Sequence, residues 1–210
     1  MIKWWIFSIV SACLLMLTGC GVCLSPSIDY GAVDDPRTIF SAISVPRAIE
    51  GVVNIDILLA DVDTEIQGVL PGAYLRGIVF AGQARNLPTL DGRIVFSFIL
   101  VRSRVLGKQT ITAGATVDTE QQALIIRTRD ETGYYPSTEQ LDLDEGLPLS
   151  EVAVIAFAQL EDMGFGEDEI TLTRLHNNEW VVVCGEIGTL EQKCRFTIDA
   201  TTGDIVIAPQ

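Results

Sequence analysis

Five cysteines, a single histidine and three runs of carboxylates are the residues of this 210-residue chain best equipped for chemistry. His176 lies beside Asn177-Asn178, in a stretch that reads as a turn between strands. One histidine leaves a hydrolase triad of the serine type without obvious partners. Cys20-Gly21-Val22-Cys23 has the spacing of a metal-binding pair, but no second pair and no Gly-rich phosphate loop accompany it. Asp142, Asp144 and Glu145 form one acidic group, and Glu161, Asp162, Glu167, Asp168 and Glu169 another. Both offer oxygen ligands to Ca²⁺, yet neither has the glycine and terminal glutamate spacing of an EF-hand loop, and both read as solvated acidic loops. The expectation is therefore a protein with no catalytic residue, no metal site and no cofactor.

Cys184 and Cys194 carry a sharper expectation. Residues 179–187 and 192–200 read as a hairpin around Thr189. Pairing about that centre sets Cys184 against Cys194, Val182 against Phe196 and Trp180 against Ile198, with all six side chains on one apolar face. The register predicts a cross-strand disulfide, two buried thiols being the alternative. Ahead of the hairpin, Ser150 reads as a helix cap, and Ala153, Ala156, Phe157, Leu160 and Met163 recur at helical spacing. Asp199-Ala200-Thr201-Thr202-Gly203-Asp204 reads as a turn before a last strand, Ile205-Val206-Ile207. This helix, these strands and F-T-I-D-A-T-T-G-D-I-V resemble the PepSY domain over about residues 147–208, within an expected domain of residues 147–210. Such modules occur in envelope proteins and protease propeptides, so the resemblance implies a protein-interaction role, with restraint of a periplasmic protease or other hydrolase as the alternative.

At the N-terminus, Lys3 precedes an apolar run from Trp4 to Leu17, too short to span a bilayer core of about 30 Å. It has the length of a secretory h-region. Leu17-Thr18-Gly19-Cys20 resembles the lipobox of bacterial lipoproteins. The resemblance implies removal of residues 1–19, a diacylglycerol on the sulfur of Cys20 and an acyl chain on its amine, with residues 20–30 as a lipidated tether. It implies a protein anchored in the membrane at Cys20 and facing the periplasm. Gly21, where an Asp would signal inner-membrane retention, favours the outer membrane. Export also places Cys184 and Cys194 where oxidation is permitted.

The formal charge of −14 argues against nucleic acid as a partner. The charge is unevenly spread. Residues 31–117 carry eight acidic and eight basic side chains, whereas residues 118–210 carry nineteen and five. That asymmetry suggests two units. In the first, Ser44 and Pro46 suit a helix start, with Ile49, Val52, Val53, Asp56 and Ile57 at helical spacing; a strand over 52–58 competes. Residues 73–82 read as strand, turn at Gly77 and strand. Ile94, Phe98, Val101 and Val105 predict a second helix over 92–106, and residues 110–117 a Thr-rich final strand. Residues 118–146 read as a connection, with Ala123–Arg129 either a strand or a short helix, followed by an acidic linker.

The order helix, strand, strand, helix, strand, with V-D-D-P-R-T-I, Leu58-Leu59-Ala60-Asp61 and Gly77-Ile78-Val79-Phe80-Ala81-Gly82, resembles the BON domain of bacterial envelope lipoproteins over about residues 33–117, within an expected domain of residues 31–117. The resemblance implies association with phospholipid or an envelope protein. Arg93, Arg102, Arg104 and Lys108, on or just after the second helix, are the candidate membrane or partner contacts. The expected fold is α+β: two small domains, each with helices packed on a short, mostly antiparallel sheet, after a cleaved lipoprotein signal peptide. The expected function is that of a non-catalytic, lipid-anchored envelope protein.

Overall fold

Alternation of apolar and polar residues dominates the chain from Thr38 onward, and most of it folds as strand. The computed structural model describes residues 38–104, 107–130, 140–174, 178–185 and 193–207. The expectations for the leader, Cys20, Cys23, His176 and the hairpin tip at Thr189 lie outside these residues. The strands are β1 (Thr38–Ala42), β2 (Tyr74–Gln83), β3 (Arg93–Arg104), β4 (Gly107–Asp118), β5 (Ala123–Asp130), β6 (Glu169–Arg174), β7 (Glu179–Cys184), β8 (Cys194–Asp199) and β9 (Ile205–Ile207). Two α-helices, α1 (Ile55–Val69) and α2 (Leu149–Asp162), and 3₁₀ segments at Ile49–Gly51 and Ala84–Thr89 complete the described elements.

All nine strands belong to one sheet in the order β1-β5-β4-β3-β2-β6-β7-β8-β9, antiparallel throughout. The expected pair of small helix-on-sheet domains is therefore corrected. β2 pairs with β6 from Ile78↔Arg174 to Gln83↔Glu169, so a single sheet runs through both regions. Each helix is followed by a four-stranded meander, α1 by β2–β5 and α2 by β6–β9, and the first strands of the two meanders form the seam. Only short strands are left at the edges, β1 with five residues and β9 with three, which limits the unpaired backbone offered to other chains.

The register gives the sheet two unlike faces. Ile78, Phe80, Ile94, Phe96, Phe98 and Val117 lie on one face and are buried, as are Leu172, Trp180, Val182, Phe196 and Ile198 on the same face. Both helices cover it. α1 buries Ile55, Leu58, Val62 and Ile66, and α2 buries Leu149, Val152, Ala153, Ala156 and Leu160. α1 packs toward β4, where Ala113 and Ala115 leave room for its larger side chains. α2 leans on the Ala84–Thr89 segment.

Several local expectations change for identifiable reasons. The helix expected over 92–106 is β3: Ile94, Phe96, Phe98 and Leu100 also alternate, and β-branched and aromatic residues held between two partner strands favour the pleat. The helix order implied for residues 31–117 is thus not the observed one. Gly77 marks a register shift after Leu75 inside continuous β2, a bulge rather than a turn. The first helix starts not at Ser44 but after Asn54, whose side-chain oxygen accepts from Ile57 N at 3.2 Å. α2 begins after Pro148, which caps without a side-chain bond, and Ser150 is already helical. Ala123–Asp130 is a strand, the interior neighbour of β1 and β4.

Candidate functional site: the open face of the sheet

Among the described residues no helix covers the second face of the sheet, although Ile99 and Thr110 on it are buried. One row crosses all nine strands: Phe40, Ile125, Thr116, Val95, Val79, Thr173, Val181, Thr197 and Val206 are paired in succession. These side chains are half-buried or exposed, and Phe40 and Val206 at the two ends are 71% and 62% exposed. Hydroxyl and small β-branched side chains suit such a face, because they satisfy strand propensity without demanding burial.

Charge on this face is divided. Arg127 lies one rung from the Phe40–Ile125 pair and Arg129 follows two residues later, both exposed. Lys108 and Arg93, also exposed, occupy the same face by register, Lys108 opposite Ser103 and Arg93 opposite Asp118. On the C-terminal strands the same face holds Glu169, Glu179 and Asp199. The N-terminal strands therefore present an apolar row beside cations, and the C-terminal strands present mainly carboxylates, with Arg195 among them.

The four expected contact residues are not one cluster. Arg93 stands at one end of β3, about 30 Å along the strand from Arg102. Arg102 pairs with the buried Gln109 and so belongs to the helix-covered side, while Arg104 pairs with Gly107 next to the β3–β4 connection. Arg127, Arg129 and Phe40 were not singled out in the sequence. The signal was there in period-two form: Leu124, Ile126 and Thr128 are buried, and Ile125, Arg127 and Arg129 alternate with them on the open side.

At the β2–β3 end, one carboxylate ties loops together. Arg47 Nη2 donates to Asp91 Oδ1 at 2.6 Å and Arg47 Nη1 to Gly51 O at 2.7 Å. The buried Thr119 hydroxyl donates to Gly92 O and accepts from Gly92 N at 2.8 Å, within 3.4 Å of Asp91 Oδ1. The Arg47 hydrogen bond holds the Asp91 carboxyl below its ordinary pKa, and the same bond raises that of Arg47.

The C-terminal hairpin follows the expected register, Cys184↔Cys194, Val182↔Phe196 and Trp180↔Ile198. Cys184 and Cys194 form a disulfide, with their Cα atoms 4.9 Å apart. In the following turn, Asp199 Oδ1 accepts from Thr201 N and Thr202 N, each at 2.8 Å, and these two bonds lower its pKa. Gly203, at φ 77°, closes the turn against Ile155 and Leu147, where a Cβ would crowd both side chains.

The acidic groups make local ties. Asp168 pairs with Lys193, Glu167 lies 3.3 Å from Arg85, and Asp142 Oδ1 accepts from Asp144 N at 2.9 Å. Among the described residues no three His, Cys, Asp or Glu side chains gather where they could share a metal ion. Among the same residues no helix is long and apolar enough to cross a membrane. No protein-family model, no curated protein and no solved structure matches the chain.

Proposed function

We propose that this chain is a non-catalytic, lipid-anchored protein of the bacterial cell envelope, held through Cys20 on the periplasmic side, outer membrane in preference to inner, and that its N-terminal strands contact anionic phospholipid. The lipobox-like Leu17-Thr18-Gly19-Cys20 supports the anchor. The contact rests on one observation: the half-face where exposed Phe40 and the apolar row stand beside Arg127, Arg129 and Arg93, with Lys108 at the far end of β4. A juxtamembrane cation contributes about 1 kcal/mol near an anionic surface, and an aromatic side chain gains by partial insertion. The net charge of −14 does not cancel this, since the carboxylates on the same face lie on the C-terminal strands apart from Asp118, which faces Arg93, and screening is strong beyond about 10 Å. The PepSY-like resemblance of residues 147–208 agrees with binding rather than catalysis.

Two measurements test the reading. Wild type and Cys20→Ala are compared by detergent phase partition; only the wild type should enter the detergent phase, and equal partition would remove the anchor. Cys20→Ala protein is then sedimented with phosphatidylglycerol-containing or pure phosphatidylcholine vesicles. Binding should require the anionic lipid, weaken with salt, and fall at least several-fold in Arg127→Glu/Arg129→Glu. Equal pelleting with both lipids, or none with either, would overturn the membrane contact.

A further inference from the structure

The helix-covered side of the sheet holds a polar group that the proposed function does not use. Arg174, at the end of β6, is 2% exposed, and on its guanidinium only Nη2 has a hydrogen-bond partner, the carbonyl of Glu145 at 2.9 Å. Nε and Nη1 are buried with none. The Trp180 ring, directly across in β7, lies 5.6 Å from the guanidinium carbon, and its Nε1 is a third buried donor without an acceptor. Buried donors left unpaired are costly, so each calls for an explanation.

Arg174 and Trp180 both line a cavity of about 310 Å³ between the approaches to the two helices. That volume lies at the small end of ligand pockets. α2 reaches the cavity through Pro148, Leu149 and Ser150, at a terminus with no side-chain cap, so its dipole and free N–H groups add to the attraction for an anion. The remaining lining divides by depth. Val53 and Leu149 are buried, whereas the carboxylate-bearing Asp56 and Asp144 are exposed. Burial pushes the Arg174 guanidinium below its ordinary pKa, and Asp142 and Glu145, the other acids near it, oppose that shift.

A buried guanidinium fork with exposed carboxylates toward solvent selects by charge pattern. A dianion such as phosphate meets one buried cation and four nearby acids. A zwitterion meets complementary groups at both ends, because a planar carboxylate matches the arginine fork and an ammonium matches Asp56 and Asp144. The geometry points to a binding site for a small zwitterion of amino-acid to dipeptide size, its carboxylate on Arg174 and Trp180 and its ammonium at the rim.

Trp180 is the one tryptophan outside the first five residues, and the change in emission that Trp180→Phe abolishes reports on the cavity. The full chain is titrated with the dipeptide Ala-Leu, its C-terminal amide, its N-acetyl form and inorganic phosphate. Ala-Leu should give saturable binding below about 1 mM. The amide should lose at least tenfold, and so should Ala-Leu itself against Arg174→Lys, which keeps the charge but not the fork. Should Arg174→Lys fail to fold, Asp56→Asn at the exposed rim replaces it: that change should weaken Ala-Leu but leave the N-acetyl form unaffected. Absence of saturable binding, equal binding of acid and amide, or tighter binding of phosphate than of Ala-Leu would each overturn the site.

Discussion

Asp91 shows how one side chain can set the stability of several loops. Its carboxylate receives Arg47, and the Thr119 hydroxyl beside it joins the β2–β3 region to the turn after β4. The pKa of Asp91 is depressed in the folded protein. Its contribution is therefore present above the unfolded value of about 3.9 and is lost as pH falls through the lower folded value. Both side chains are partly exposed, so Asp91→Asn should cost only about 1 kcal/mol at pH 7. Urea unfolding of wild type and Asp91→Asn at pH 7 and again near pH 3 is the check, and the gap between them should shrink at the lower pH. A gap unchanged by pH would assign the effect to packing. Gly146 is a second position where one atom decides. It has φ 105°, and an added Cβ would strike the Ala200 carbonyl. Gly146→Ala should therefore destabilise the protein by at least about 1–3 kcal/mol, read by thermal unfolding.

Among the elements, the β7–β8 hairpin was the most legible in the sequence. Trp180, Val182 and Cys184 alternate against Cys194, Phe196 and Ile198, and a slip of one residue would turn one strand's apolar set to solvent. The disulfide follows from that register. It closes a separation of 10 residues, so Cys184→Ala/Cys194→Ala should lose about 2–3 kcal/mol while keeping the hairpin. Hydrogen exchange at Trp180 and Val182, whose N–H groups face β8, reports the hairpin directly; loss of that protection in the folded variant would mean that the bridge, and not the apolar pairs, sets the register. β3 was misleading for the same physical reason that the hairpin was clear. Its residues are apolar on nearly every position from Ile94 to Val101, so helical and alternating patterns coexist, and only flanking strands choose between them. α1 was displaced because Asn54 is the cap in use and the Ile55, Leu58, Val62 and Ile66 stripe begins there. The cations of the open face were half legible, Arg93 and Lys108 by type, Arg127 and Arg129 only once Ala123–Asp130 is known to be an interior strand.

For the whole molecule, the decisive contact is the one furthest from sequence pattern. The change from a neutral to an acidic segment at about residue 118 suggested two domains, but it describes surfaces, and a sheet can continue beneath surfaces of different charge. What joins the halves is β2 on β6, where Phe80 meets Leu172 and Ile78 meets Arg174 on the buried side. Ile78, Phe80 and Leu172 would read as core in any arrangement, and nothing in their spacing names the partner strand. The described residues cluster as one compact unit, and a core continuous across the seam predicts a single cooperative transition. Leu172 is fully buried at the seam, and Leu172→Ala should cost about 2–5 kcal/mol. The loss should be felt on both sides of it. Trp180 emission follows the C-terminal strands during urea unfolding, and hydrogen exchange of the most protected β3 and β4 amides follows the N-terminal ones. In Leu172→Ala both should report the same reduced stability. If the β3 and β4 amides kept wild-type protection while the Trp180 transition moved to lower urea, the halves would be folding as independent units and the seam would be a contact between them rather than a shared core.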